Sequence, residues 1–201
     1  MANRNAPFGL SPHSLLDGSP WNGKARMYCI PSTDSTNAYA IGDPVVLAGS
    51  ADSNGIPTVT LATAGYGNAI TGVIVGAGGP KYGGPSANPT NLNTTVIPAT
   101  KAANYYVLVA DDPGLLFVAQ EDSVGNNLAA TDVGSNIDLV AGTNSGYQSG
   151  WMIDSSSANT GSTRQVQLMQ LLQTPDNAIG QYARWLVRLN NHSYASGTTG
   201  V

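Results

Sequence analysis

The sequence predicts a mainly β fold: a single β-barrel or β-sandwich, jelly-roll-like, of about ten short strands with an extended N-terminal arm and a long irregular loop. Three observations lead there. Strong helix formers are scarce, with one glutamate and three lysines in 201 residues, whereas Val, Ile, Thr and Tyr are plentiful. Turn-forming residues punctuate the chain, with 24 glycines and 12 prolines among many Asn, Ser and Thr. Between these breaks the apolar residues fall in short runs of strand length.

Residues 1–24 read as an arm. Pro7, Pro12 and Pro20, with Gly9, Gly18 and Gly23, prevent a helix or a long strand. Yet Phe8, Leu10, Leu15, Leu16 and Trp21 are too apolar for a solvated tail. Two readings stay open: the arm wraps its own barrel, or it docks on a partner.

The body is expected over 25–192. Arg26–Ile30 is an apolar run ended by Pro31, and Gly42-Asp43-Pro44 feeds a strand through Val45-Val46-Leu47. Asp52-Ser53-Asn54-Gly55 is a hairpin turn before the β-branched Ile56–Ala62. Ala69–Ala77 is a further strand, its glycines marking close approach. Residues 78–103 form the longest irregular stretch and read as a surface excursion. Tyr105–Ala110 and Leu115–Gln120 flank Asp111-Asp112-Pro113-Gly114 and predict a second hairpin. Shorter strands are expected over Asn136–Val140 and Gly150–Asp154, and longer ones over Val166–Leu172 and Ala183–Asn190. A helical turn is expected near Asn126–Ala130, a polar tail over 193–201, and no second core.

Charge excludes several function classes. The net charge is −4, and the eight basic residues are scattered as Arg4, Lys24, Arg26, Lys81, Lys101, Arg164, Arg184 and Arg188. Nucleic-acid binding needs them clustered, so no nucleic-acid partner is expected. No apolar run reaches the roughly 18 residues of a membrane span. The opening residues lack the positive-then-apolar pattern of a signal peptide, so synthesis in a cytoplasm is expected. Cys29 stands alone in an apolar run and reads as a small buried hydrophobe.

Candidate chemistry is thin. His13 lies in the arm and His192 at the start of the tail, neither in a stretch expected to be rigid. Three dispersed Cys and His residues do not make a zinc site. Asp111, Asp112 and Glu121 bracket the predicted second hairpin. An acid/base pair or a calcium site is conceivable there, though turn residues flanked by solvated acids explain them as well. Gly76-Ala77-Gly78-Gly79-Pro80-Lys81 lacks phosphate-loop spacing. No catalytic, cofactor or metal site is assigned, and the chain is not expected to be an enzyme.

The opening Met1-Ala2-Asn3-Arg4-Asn5-Ala6-Pro7-Phe8-Gly9-Leu10 resembles the N-terminal arm of capsid cement (decoration) proteins of tailed bacteriophages. Four further stretches are similar to proteins of that group: Ile30–Asp34, Gly42–Val45, Ile70–Val75 and Trp185–Arg188. The resemblance implies a β-rich, non-enzymatic virion protein bound outside an HK97-type icosahedral head. It implies the major capsid protein as partner, and self-association as a homodimer or homotrimer at local symmetry axes. The arm contacts expected on this reading are Arg4, Pro7, Phe8, Leu10 and Trp21, and deletion of residues 1–20 should abolish capsid binding while leaving the barrel folded. Two alternatives remain. One is a head-fibre base or glycan-binding module using tyrosines such as Tyr66, Tyr82, Tyr147 and Tyr194. The other is an enzyme built on the Asp111/Asp112/Glu121 hairpin.

Overall fold

A computed structural model describes residues 3–78, 96–195, 197, 199 and 200. Its strands are β1 (Ser11–Leu15), β2 (Arg26–Ile30), β3 (Tyr39–Ala40), β4 (Pro44–Ala51), β5 (Pro57–Leu61), β6 (Gly72–Gly78) and β7 (Val96–Ile97). They continue with β8 (Tyr105–Ala110), β9 (Leu115–Gln120), β10 (Asn136–Ile137), β11 (Leu139–Val140), β12 (Met152–Ile153), β13 (Val166–Leu171) and β14 (Arg184–Leu189). The helical turn falls at Ala130–Asp132, just after the expected position.

The expected barrel is present. It closes through five strands in the order β2-β5-β4-β6-β8, so no edge of it is left unpaired. Beside it stands an antiparallel sheet in the order β1-β9-β14-β13-β10, with the short pairs β3-β7 and β11-β12 at the margins. The fold therefore has two apolar clusters where one core was expected. Tyr28, Ile30, Val45, Val59, Ile74, Val107 and Val109 fill the barrel. Phe117, Trp151, Val166, Leu168, Trp185 and Val187 build the larger cluster under the sheet.

The first hairpin forms as predicted. Asp52 Oδ1 accepts the N–H groups of Asn54 and Ile56, and Gly55 takes φ +78, a left-handed conformation open to glycine. Tyr106 donates to the other oxygen, and this bond above all holds the Asp52 carboxyl down at about 2.

The second hairpin does not form. β8 pairs with β2 and β6 inside the barrel, while β9 pairs with β1 and β14 in the sheet. The turn at Asp112, whose carbonyl accepts the Leu115 N–H, carries the chain from barrel to sheet instead of folding it back. Asp111 and Glu121 consequently lie at opposite ends of β9, roughly 20 Å of extended chain apart. They share no partner: Asp111 accepts from Tyr28 and pairs with Arg26, and buried Glu121 accepts the Leu128 N–H. The structure does not bring these acids together as an acid/base pair or calcium site would need, and Asp111 and Glu121 are buried rather than solvated.

Two further expectations change, while the arm, as expected, holds no helix and only a short strand, β1, at the edge of the sheet. The loop at 78–103 is partly a scaffold: 79–95 lie outside the described residues, but β7 pairs with β3 and Lys101 is buried. Its amine donates to the carbonyls of Asp34, Asn37 and Ala99 at 2.7–3.0 Å. The beginning of the C-terminal tail is also tied down, because Ser193 N–H donates to Ile70 O and Tyr194 reaches Tyr28.

Candidate functional site

The arm residues singled out from sequence sit along one path over the sheet. The core-facing side of β9 carries Leu115, Phe117 and Ala119; the opposite side carries Leu116, Val118 and Gln120. Gln120 is only 1% exposed, because the N-terminal segment crosses it. Its amide donates to the carbonyls of Arg4 and Tyr182, and its carbonyl accepts the Ala6 N–H. Asn3 extends the attachment, bonding the backbone of Ala178 and Gln181. Residues 3–8 are therefore a strap held by side-chain amides. Gln120 was missed from sequence, where it looks like the polar end of a strand.

Past the strap the chain dives inward. Gly9 has φ +73, and a Cβ there would strike the Gly42 carbonyl and the Ser149 side chain. This close approach seats Leu10, 1% exposed, in the larger core, with its N–H on Gly42 O at 3.0 Å. Asp43 stabilises the junction from beneath. It is wholly buried and accepts from Ala40 N–H and the Asn144 amide, and burial pushes its carboxyl above the usual range. The chain then runs through β1 and turns, with Leu15 N–H on Ser19 O and Trp21 N–H on His13 O.

Phe8, Leu10 and Trp21 converge on a cavity of about 410 Å³ between arm, barrel and sheet. Ile41, Ile74, Val75 and Val118 complete its apolar walls, and Ser11, Gln148 and Arg184 contribute polar groups. The indole N–H of Trp21 donates to Lys24 O at 3.1 Å, which fixes the ring. Arg4 and Pro7 do not line the cavity; Arg4 is exposed and Pro7 half-buried on the strap. The arm lies against its own domain, as in the first of the two readings left open for it.

A second polar cluster joins the C-terminal segment to the barrel. Tyr28 donates to Asp111 Oδ2 at 2.7 Å and so accepts from Tyr194 at 2.9 Å. His192, expected in a loose tail, is 4% exposed, and its Nδ1 accepts the Tyr194 N–H at 3.0 Å. Burial lowers its basicity, against the nearby charges of Asp111 and Asp112. With Nδ1 an acceptor, the neutral ring carries its proton on Nε2.

No family model matches the chain, nor does any curated protein or solved structure. The reading of the site rests on its chemistry.

That chemistry is dominated by where the charges go. Each of the twelve carboxylates is a hydrogen-bond acceptor or ion-pair partner within the chain. Asp43, Asp111, Glu121 and Asp138 are buried; the others mostly close Asx-type turns. Among the described residues no group of three or more His, Cys, Asp and Glu is arranged to hold a metal ion. No described helix is long and apolar enough to cross a membrane. Cys29, on the barrel strand β2, is buried, and burial raises its thiol to about 11.

Proposed function

We propose that the chain is a virion structural protein, a capsid cement subunit that binds the outer surface of an HK97-type icosahedral head and bridges capsomers. Its partners on this reading are the major capsid protein and further copies of itself, as a homodimer or homotrimer at a local symmetry axis. The observation that carries the proposal is the internal use of all twelve carboxylates. Much of the outer surface is left to amides, hydroxyls and exposed apolar side chains. Met27 and Leu108, cross-strand partners on the outside of the barrel, are 39% and 43% exposed. Leu16 at the end of the arm hairpin is 47% exposed. A surface of this kind loses few hydrated ions when covered, so contact area translates more directly into affinity.

The strap changes how the arm would serve such a role. Leu10 is a core residue and Phe8 and Trp21 face the cavity, so capsid contact falls to the exposed Arg4, the arm hairpin and the barrel face around Met27 and Leu108. The test is sedimentation of purified protein with DNA-filled heads that lack it. Saturable pelleting by the wild type, reduced at least tenfold in a Met27→Asp/Leu108→Asp variant of unchanged fold, is expected. Absence of wild-type pelleting, or equal saturation by the variant, overturns the proposal.

A further inference from the structure

The cavity under the arm has no part in capsid binding as proposed above, and its composition points to a ligand of its own. Its volume of about 410 Å³ lies within the range of small-molecule sites, roughly 300–1,000 Å³. The walls are apolar and rigid. Leu10 is seated in the core, Ile74 belongs to the closed barrel, and the Trp21 ring is tethered through its indole N–H.

The polar groups are few, and they converge with capacity to spare. Ser11 Oγ and the Gln148 side-chain amide have no hydrogen-bond partner among the described residues, although both line the cavity. Arg184 is the single charged residue of the lining. Its Nη2 bonds Asp176 Oδ1 at 2.8 Å and Thr174 Oγ1 at 3.3 Å, while Asp176 itself is 70% exposed. A guanidinium has five N–H donors in a planar fork, and those on Nε and Nη1 have no partner within the described residues. An acidic head group entering the cavity therefore meets unused donors beside a counter-ion that is largely exposed to solvent. A cationic ligand would meet Arg184 as a like charge, and a sugar would leave its hydroxyls against apolar walls.

We propose that this cavity is a binding site for a small carboxylate with an aromatic or branched aliphatic body, its ring against Phe8 and Trp21 and its carboxylate at Arg184. A free small molecule suits a partly open pocket bounded by arm, barrel and sheet together. The site is independent of the virion role, and its test needs no particle.

The test titrates ¹⁵N-labelled full-length protein with phenylacetate, phenylacetamide and phenethylamine, following the Trp21 indole N–H signal. Trp21 is a selective reporter, since Trp151 and Trp185 are buried in the core. Phenylacetate should shift that signal saturably at millimolar concentrations, the amide more weakly, and the amine not at all. Arg184→Gln should weaken phenylacetate roughly tenfold or more, the effect of losing a charged hydrogen bond, and leave the amide little changed. Val75→Phe fills the cavity and should abolish both, with far-ultraviolet circular dichroism confirming that the variant folds. The proposal is overturned if phenylacetate gives no saturable shift, if the amine binds as well, or if folded Val75→Phe binds as the wild type does.

Discussion

Leu10→Ala separates an arm that belongs to the fold from an arm that waits for a partner. Leu10 is 1% exposed and packs in the larger core, reached only because Gly9 and Gly42 let the backbones approach. Removing a fully buried leucine side chain costs about 2–5 kcal/mol, through lost transfer energy and the cavity left behind. In a domain of this size each kcal/mol lowers the thermal midpoint by about 2–4 °C, so a central cost of about 3 kcal/mol predicts a fall of about 6–12 °C. Arg4→Ala, on the exposed strap, should stay within about 0.5 kcal/mol of the wild type. The assay is thermal unfolding followed by near- and far-ultraviolet circular dichroism on the full chain. By the same reasoning, deleting residues 1–20 removes β1 and Leu10 and should destabilise the domain, not merely disarm it. An unchanged midpoint in Leu10→Ala, with loss of particle binding alone, would refute the assignment of the arm to the fold.

Gly9→Ala should destabilise by at least about 2 kcal/mol in urea unfolding, because φ is +73 and the new Cβ meets the Gly42 carbonyl. Lys101→Met should cost about 2–4 kcal/mol in the same assay, since three carbonyls lose a common buried donor. His192 predicts acid sensitivity. Its folded pKa lies below the unfolded 6.5, so the unfolded chain binds the proton more readily. Its contribution is therefore complete above pH 6.5 and is lost as pH falls through that value, with a slope approaching roughly 1.4 kcal/mol per pH unit. Asp43, Glu121 and Asp138 have raised values and act oppositely at lower pH, so the informative curve is wild type minus His192→Gln. A flat difference between pH 7 and 5 would contradict the buried neutral ring.

Strand content was readable because alternation and turn residues act locally. Asp52 and Gly55 make their hairpin from contacts within five residues. Pairing was less readable. Asp111-Asp112-Pro113-Gly114 carries a turn signal, but whether a turn folds a strand back or sends it to another sheet depends on distant partners. β8 and β9 are each apolar on both faces, so no solvent-facing stripe marks which neighbour they take. The arm was half legible. Its apolar residues announced burial, but the contacts with its own domain, through the Gln120 amide and the Gly9–Gly42 approach, were not legible. The cavity was not legible as a site, for Gln148 and Arg184 come to it from segments far from the arm in sequence. His192 looked loose beside a polar tail, but the Tyr194 N–H on its ring, backbone bonds to Asn190 and Ala195 and the pairing of Ile70 with its neighbours hold it.

The central claim concerns assembly, and stoichiometry tests it most directly. Quantitative mass spectrometry of purified particles should find this chain in fixed proportion to the major capsid protein, near one copy per capsid subunit or an integral number per capsomer. A handful of copies per particle, or none, would contradict a cement role.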